Sequence, residues 1–136
     1  FTGRAEVADD CDGPIYAYHG TDRRLLPAIR RAGLVPRRQP RRHRDEERAT
    51  DEPVIFLGPR VRDATVWGEV VLRFPWPSDA VEDWYGDSIL LCGEVVRTSY
   101  YTTDPISPGV IEYRDVAGGW RRLREGRARR LPPSRL

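Results

Sequence analysis

The residues from position 14 onward combine types that could hold a polar ligand. The key group is His19-Gly20-Thr21, directly after the aromatic and β-branched stretch Pro14-Ile15-Tyr16-Ala17-Tyr18. A glycine lets the backbone come close to a ligand, and its amide and carbonyl suit a carboxamide. A histidine beside it can donate to a sugar hydroxyl. Tyr16 and Tyr18 alternate along that stretch and read as core.

Charge adds a second kind of chemistry. The net charge is only +2, but it hides strong segregation. Every basic side chain other than histidine is arginine, whose planar donors suit phosphate. One cluster is Arg37, Arg38, Arg41, Arg42 and Arg44. The other is Arg121, Arg122, Arg124, Arg127, Arg129, Arg130 and Arg135. Acidic residues gather elsewhere, as in Asp9-Asp10 and Asp45-Glu46-Glu47. Such segregation points to a polyanionic partner; a pair of solvated basic loops would look the same. Trp76, Trp84, Tyr85 and Trp120 could stack bases, and otherwise read as core or rim aromatics. His43 reads as a solvated loop histidine. With His19 and His43 far apart, and only Cys11 and Cys92 as thiols, no metal site is expected. Two cysteines are too few for a disulfide framework. Cys92, in Ile89-Leu90-Leu91-Cys92, reads as a small buried hydrophobe.

The elements that must position these residues follow from periodicity and breakers. A length of 136 residues fits one domain. The expected limits are a flexible segment over 1–13, a domain over 14–120 and a basic tail over 121–136. Pro14 to His19 reads as a strand. Thr21 or Asp22 can cap a helix through Leu25, Leu26, Ile29 and Ala32, stopped by Gly33. Residues 36–52 read as a long basic loop. Pro53 to Leu57 reads as a second strand and Val61 to Trp67 as a short helix. Further strands are expected over Glu69 to Phe74, Ser88 to Val96 with a bulge at Gly93, Ser99 to Thr103 and Val110 to Arg114. Strand, helix, strand, helix, then strands only, predicts an α+β domain with a mostly antiparallel core. No apolar run approaches the ~20 residues of a membrane span. A cytoplasmic location is expected, with a signal peptide before Phe1 left open.

In this order, three blocks resemble the ADP-ribosyltransferase-like superfamily. Residues 16–34, Tyr-Ala-Tyr-His-Gly-Thr through to Gly33-Leu34, are similar to its opening: a strand with His-Gly-Thr, a helix carrying an isoleucine, then Gly-Leu. Val54-Ile55-Phe56-Leu57, followed by Arg62-Asp63-Ala64 and Trp67, resembles the second motif of the poly(ADP-ribose) polymerases. Ser99-Tyr100-Tyr101-Thr102-Thr103 resembles the strand of the last motif. The resemblance implies two small, mostly antiparallel sheets with short helices, and NAD as co-substrate. It places His19 on the ribose next to nicotinamide, Gly20 on the carboxamide, Thr21 toward the adenosine and Phe56 against the nicotinamide ring. Arg62 joins this cofactor set through the second block.

The last motif departs from the family. Transferases carry a glutamate where this chain has Ser99, and a serine cannot oppose the positive charge that develops on the sugar. Glu94 and Glu112 are the other acids that could reach the site. The expected activity is transfer of ADP-ribose to a macromolecule. Nucleic acid is the favoured acceptor, with Arg37, Arg38, Arg41, Arg42 and Arg44 as its contacts. RNA 2′-phosphotransferases also lack the glutamate and use arginines; Arg60, Arg62, Arg73 and Arg97 lie near the motif blocks. Their usual His-Leu-Ser is replaced by Phe56-Leu57-Gly58. A non-catalytic module that binds nucleic acid or protein is the third reading.

Overall fold

The computed structural model describes residues 15–38, 52–84, 86–114 and 118–124. The expectations for residues 1–13, for Arg41, Arg42, His43 and Arg44, for Tyr85 and for the tail from residue 125 lie outside these.

The chain is an α+β protein with small antiparallel sheets and short helices. In chain order it forms β1 (Tyr16–Thr21), α1 (Leu26–Ala32), β2 (Ile55–Leu57), α2 (Val61–Thr65), β3 (Val70–Pro75) and β4 (Val81–Glu82). There follow β5 (Ser88–Leu91), β6 (Glu94–Arg97), β7 (Tyr100–Thr102), β8 (Glu112–Arg114) and β9 (Trp120–Arg122). Among the described residues the strands make a four-stranded sheet β1-β3-β8-β9, a three-stranded sheet β2-β7-β4 and a two-stranded ribbon β5-β6, every pairing antiparallel.

Alternation across the sheet puts two sets of side chains on its two faces. Ala17, Leu72 and Phe74 point to one face and pack with Leu26 and Ile29 of α1 and with Ile55 and Leu57 of β2. Tyr18 and Val71 point to the other and pack with Ala64 of α2. The two helices therefore cover opposite faces. Phe74 and Leu72 are fully buried, and each large apolar side chain so removed from water contributes about 1.5–3 kcal/mol. Gly33 ends α1 at φ +80°, and a Cβ there would lie 2.0 Å from the Ile106 carbonyl oxygen. Both its conformation and its neighbours demand glycine.

Several expected elements are corrected. The strand read over Ser88 to Val96 is a hairpin: Leu91 pairs with Glu94 around a turn at Cys92-Gly93. Both turn residues have positive φ, 53° and 82°, as a two-residue turn matched to strand twist requires. The apolar content of both arms hid the turn. Cys92 is accordingly exposed at the tip, not buried, and it is disulfide-bonded. The hairpin also adds a third sheet to the expected two. β1 runs on past His19 to Thr21, so the histidine is inside the strand. β4 and β9 were not expected; each is too short to carry a periodic signal. The tail read from residue 121 begins inside the fold: Trp120–Arg122 pairs with β8, and Leu123 is buried in the main core.

Leu123→Ala should therefore cost about 2–5 kcal/mol, as for other buried leucines. Urea unfolding reads this directly; a midpoint equal to wild type would place Leu123 outside the cooperative core.

Candidate functional site

Tyr18 and Gly58 join the two main sheets, each donating its amide to the other's carbonyl at 2.9 Å. In an antiparallel ladder the next such pair on these strands would be Gly20 and Phe56. That pair does not form. The Phe56 carbonyl is taken instead by His19 Nδ1, at 2.6 Å. Beyond it, Val54 pairs with Arg37 by reciprocal bonds of 2.9 and 2.8 Å. The ladder is thus closed at Gly58 and at Val54 and opened between them. Because Tyr18 turns its amide and carbonyl toward β2, Gly20 does too, and both groups face the opening.

A cleft of about 360 Å³ lies at this opening, within the range of small-molecule sites. His19, Gly20, Thr21 and Asp22 form one wall, and Val54, Ile55 and Phe56 another. α1 supplies Ala28, Ile29 and Ala32, while Arg37, Arg38 and Trp67 stand at the margins. The two arginines and Trp67 are exposed. Phe56 is half-buried, and the ring of Tyr101, its partner across β2–β7, meets it edge-on at 6.3 Å between centroids.

A carbonyl can only accept, so His19 Nδ1 carries the proton and donates it to Phe56. Nε2 is left as an acceptor. Burial pushes the imidazole below its ordinary value of 6.5, and the hydrogen bond to Phe56 offsets part of this. The ring is therefore neutral at pH 7. This reverses the expected polarity: with Nδ1 donating to Phe56, Nε2 can accept from a hydroxyl and cannot donate to one.

Of the residues expected to form a site, His19, Gly20, Thr21, Phe56, Arg37 and Arg38 line the cleft. Gly20 has a second role. A Cβ there would lie 2.1 Å from the Ala64 carbonyl oxygen, so the glycine lets α2 lie against β1. The other expected residues among those described do not line the cleft. Ser99 donates its hydroxyl to the buried Asp83 carboxylate at 2.9 Å, anchoring the turn before the hairpin. Glu94 is exposed at the start of β6. Glu112 accepts from Arg73 Nε at 2.6 Å. Arg62 is exposed on α2, which covers the sheet face opposite α1. Arg60 is bound by Asp63, and Arg97 donates to the Gly86 carbonyl.

Sequence reasoning missed Asp22, Trp67 and Tyr101 as site residues. Asp22 is the one carboxylate among the described residues that line the cleft; it was read as a helix cap, but its side chain makes no capping bond. Trp67 was read as the end of a helix. Tyr101 lies two residues after Ser99, which just precedes β7, and only the register with Phe56 distinguishes it. Among the described residues no group of His, Cys, Asp and Glu could hold a metal ion, and no helix is long and apolar enough to cross a membrane. No family model, curated protein or solved structure matches this chain.

The lowered His19 value fixes a pH dependence. The unfolded chain binds the proton more readily than the folded one, so stability is full above about pH 6.5 and falls as pH drops toward the folded value. Thermal unfolding from pH 7.5 to 5 should show a loss that His19→Gln reduces. Parallel curves for the two proteins would contradict a buried, neutral His19.

Proposed function

We propose that the cleft binds NAD and that the chain is an ADP-ribosyltransferase-like domain, transferring ADP-ribose to a macromolecule with nucleic acid as the favoured acceptor. The interrupted ladder carries this reading. Gly20 presents one backbone donor and one acceptor to the cleft, the complement of a carboxamide. The half-buried Phe56 ring gives the nicotinamide a stacking face. His19 Nε2 accepts from a ribose hydroxyl, and Arg37 and Arg38 suit the pyrophosphate.

The chemistry needs a negative charge near the sugar. The bond from C1′ to the nicotinamide nitrogen breaks, and nicotinamide leaves neutral with the bonding pair. An oxygen or nitrogen of the acceptor bonds to C1′ and gives its proton to water. Positive charge builds on the ribose meanwhile, and Asp22 is the carboxylate placed to oppose it. Among the described residues its one ion pair is an exposed one with Arg24 at 3.5 Å, a contact worth little in water. The carboxylate stays available to a ligand.

Calorimetry with NAD, followed by nicotinamide release on adding mixed RNA and DNA, tests the reading. His19→Ala should weaken NAD binding at least tenfold. Asp22→Asn should leave NAD affinity within a few-fold while slowing nicotinamide release about 100-fold, as for loss of one transition-state charge. No heat at millimolar NAD with the wild-type protein would overturn the proposal. Equal release rates for wild type and Asp22→Asn would remove Asp22 from the chemistry.

A further inference from the structure

A row of side chains leads out of the cleft across the second sheet. Phe56 on β2 stands directly opposite Tyr101 on β7, and Tyr101 directly opposite Val81 on β4. Directly opposed residues share a face, so the three form one line. The alternate residues Ile55, Leu57 and Thr102 are buried, and Tyr100 packs on the main core. The row therefore lies on the outer face. Phe56 lines the cleft at one end, and Val81 is exposed at the sheet edge at the other.

Tyr101, in the middle, is half-buried with its ring against the Phe56 ring. Its neighbour Tyr100 is held by the fold, its hydroxyl accepting from the Arg97 amide at 3.1 Å. The Tyr101 hydroxyl makes no hydrogen bond among the described residues. Arg37 pairs with Val54 on the other edge of β2. Val54 and Phe56 are two residues apart, so the same rule puts Arg37 on this face as well. Arg37 is exposed and in no ion pair among the described residues. The acid of the neighbouring row, Asp83, is buried and accepts from Ser99.

Flat rings with a cation on one face are the means by which proteins hold a single-stranded nucleic acid: bases stack and phosphates meet arginine. We infer that this face receives an unpaired base of a single-stranded nucleic acid, stacked on Tyr101, with the strand's phosphates toward Arg37. The inference rests on the nucleic-acid acceptor of the proposed function and adds its form and its seat. A base on Tyr101 lies beside Phe56, next to the sugar of an NAD stacked there. A duplex keeps its bases inside the helix and cannot offer one.

The test is fluorescence anisotropy of a labelled single-stranded DNA of about 12 nucleotides, without NAD, at rising salt. Tyr101→Leu keeps apolar bulk and removes the flat ring; Tyr101→Phe keeps the ring. Loss of one stacked base should weaken the Kd at least about fivefold in Tyr101→Leu, with Tyr101→Phe within about twofold of wild type. Both should keep the wild-type salt slope, whereas Arg37→Gln should reduce it by about 0.7, as for one single-strand phosphate contact. Wild-type protein should bind the duplex form, and a strand of abasic sites, at least about fivefold more weakly than the single strand. The abasic comparison uses wild type, so it decides even where Tyr101→Leu does not fold. Wild-type affinity in a folded Tyr101→Leu, or equal affinity for the abasic strand, would overturn the inference. So would a wild-type protein that leaves the single strand free, which would turn this face toward a protein acceptor. Absence of NAD binding would remove the transferase reading and leave these oligonucleotide results standing.

Discussion

The hydrogen bond from His19 to the Phe56 carbonyl is the interaction on which the cleft depends. In an uninterrupted ladder that carbonyl would take the Gly20 amide, and β1 and β2 would close into one sheet. The imidazole occupies the acceptor instead. It keeps the strands associated, because the carbonyl is satisfied, and keeps them apart, because a ring stands where an amide would. Arg37 closes the far side by pairing with Val54. A strand edge normally sealed by its neighbour thus becomes an open cleft bounded at both ends.

The same bond sets the state of the histidine. An imidazole donating to a carbonyl has one tautomer when neutral, and burial keeps it neutral. A charged ring here would have to be desolvated without a counter-ion, which is costly. The geometry of the opening and the protonation of its main polar group therefore have one cause.

Elsewhere the charged side chains divide into anchors and exposed groups. Arg60 and Asp63 are largely buried and meet at 2.8 Å, where removing one partner would strand the other. Arg73 joins Glu112 and lies over Tyr16 and Trp120, tying β3, β8 and β9 together. Ser99 and Thr102 hold Asp83 and Asp79 across the second sheet. With these groups committed to the fold, Asp22, Arg37 and Arg38 are the charges left at the cleft among the described residues. α1 lines the cleft with Ala28, Ile29 and Ala32, and at its C-terminal end the Arg30 and Arg31 carbonyls accept from Arg124.

What residue types and short-range spacing decide was legible in the sequence. The α+β class, α1 with its glycine stop, and His19-Gly20-Thr21 as a ligand-facing group follow from local pattern, while the resemblance of ordered blocks added Phe56. Arg37 beside Arg38 is local pattern too. Whether a polar side chain faces the cleft or an anchor depends on partners far along the chain, and no local pattern carries that. Ser99 and Glu112 read as candidate site residues because their contacts with Asp83 and Arg73 arise only when distant strands pair. The hairpin at Cys92-Gly93 read as one strand because both arms are apolar. Asp22 read as a cap because capping residues and cleft carboxylates are the same residue types. Sequence alone determined which residues could recognise a carboxamide and a phosphate. Tertiary structure decided that a histidine ring replaces a backbone amide between Gly20 and Phe56, because register is set by long-range pairing.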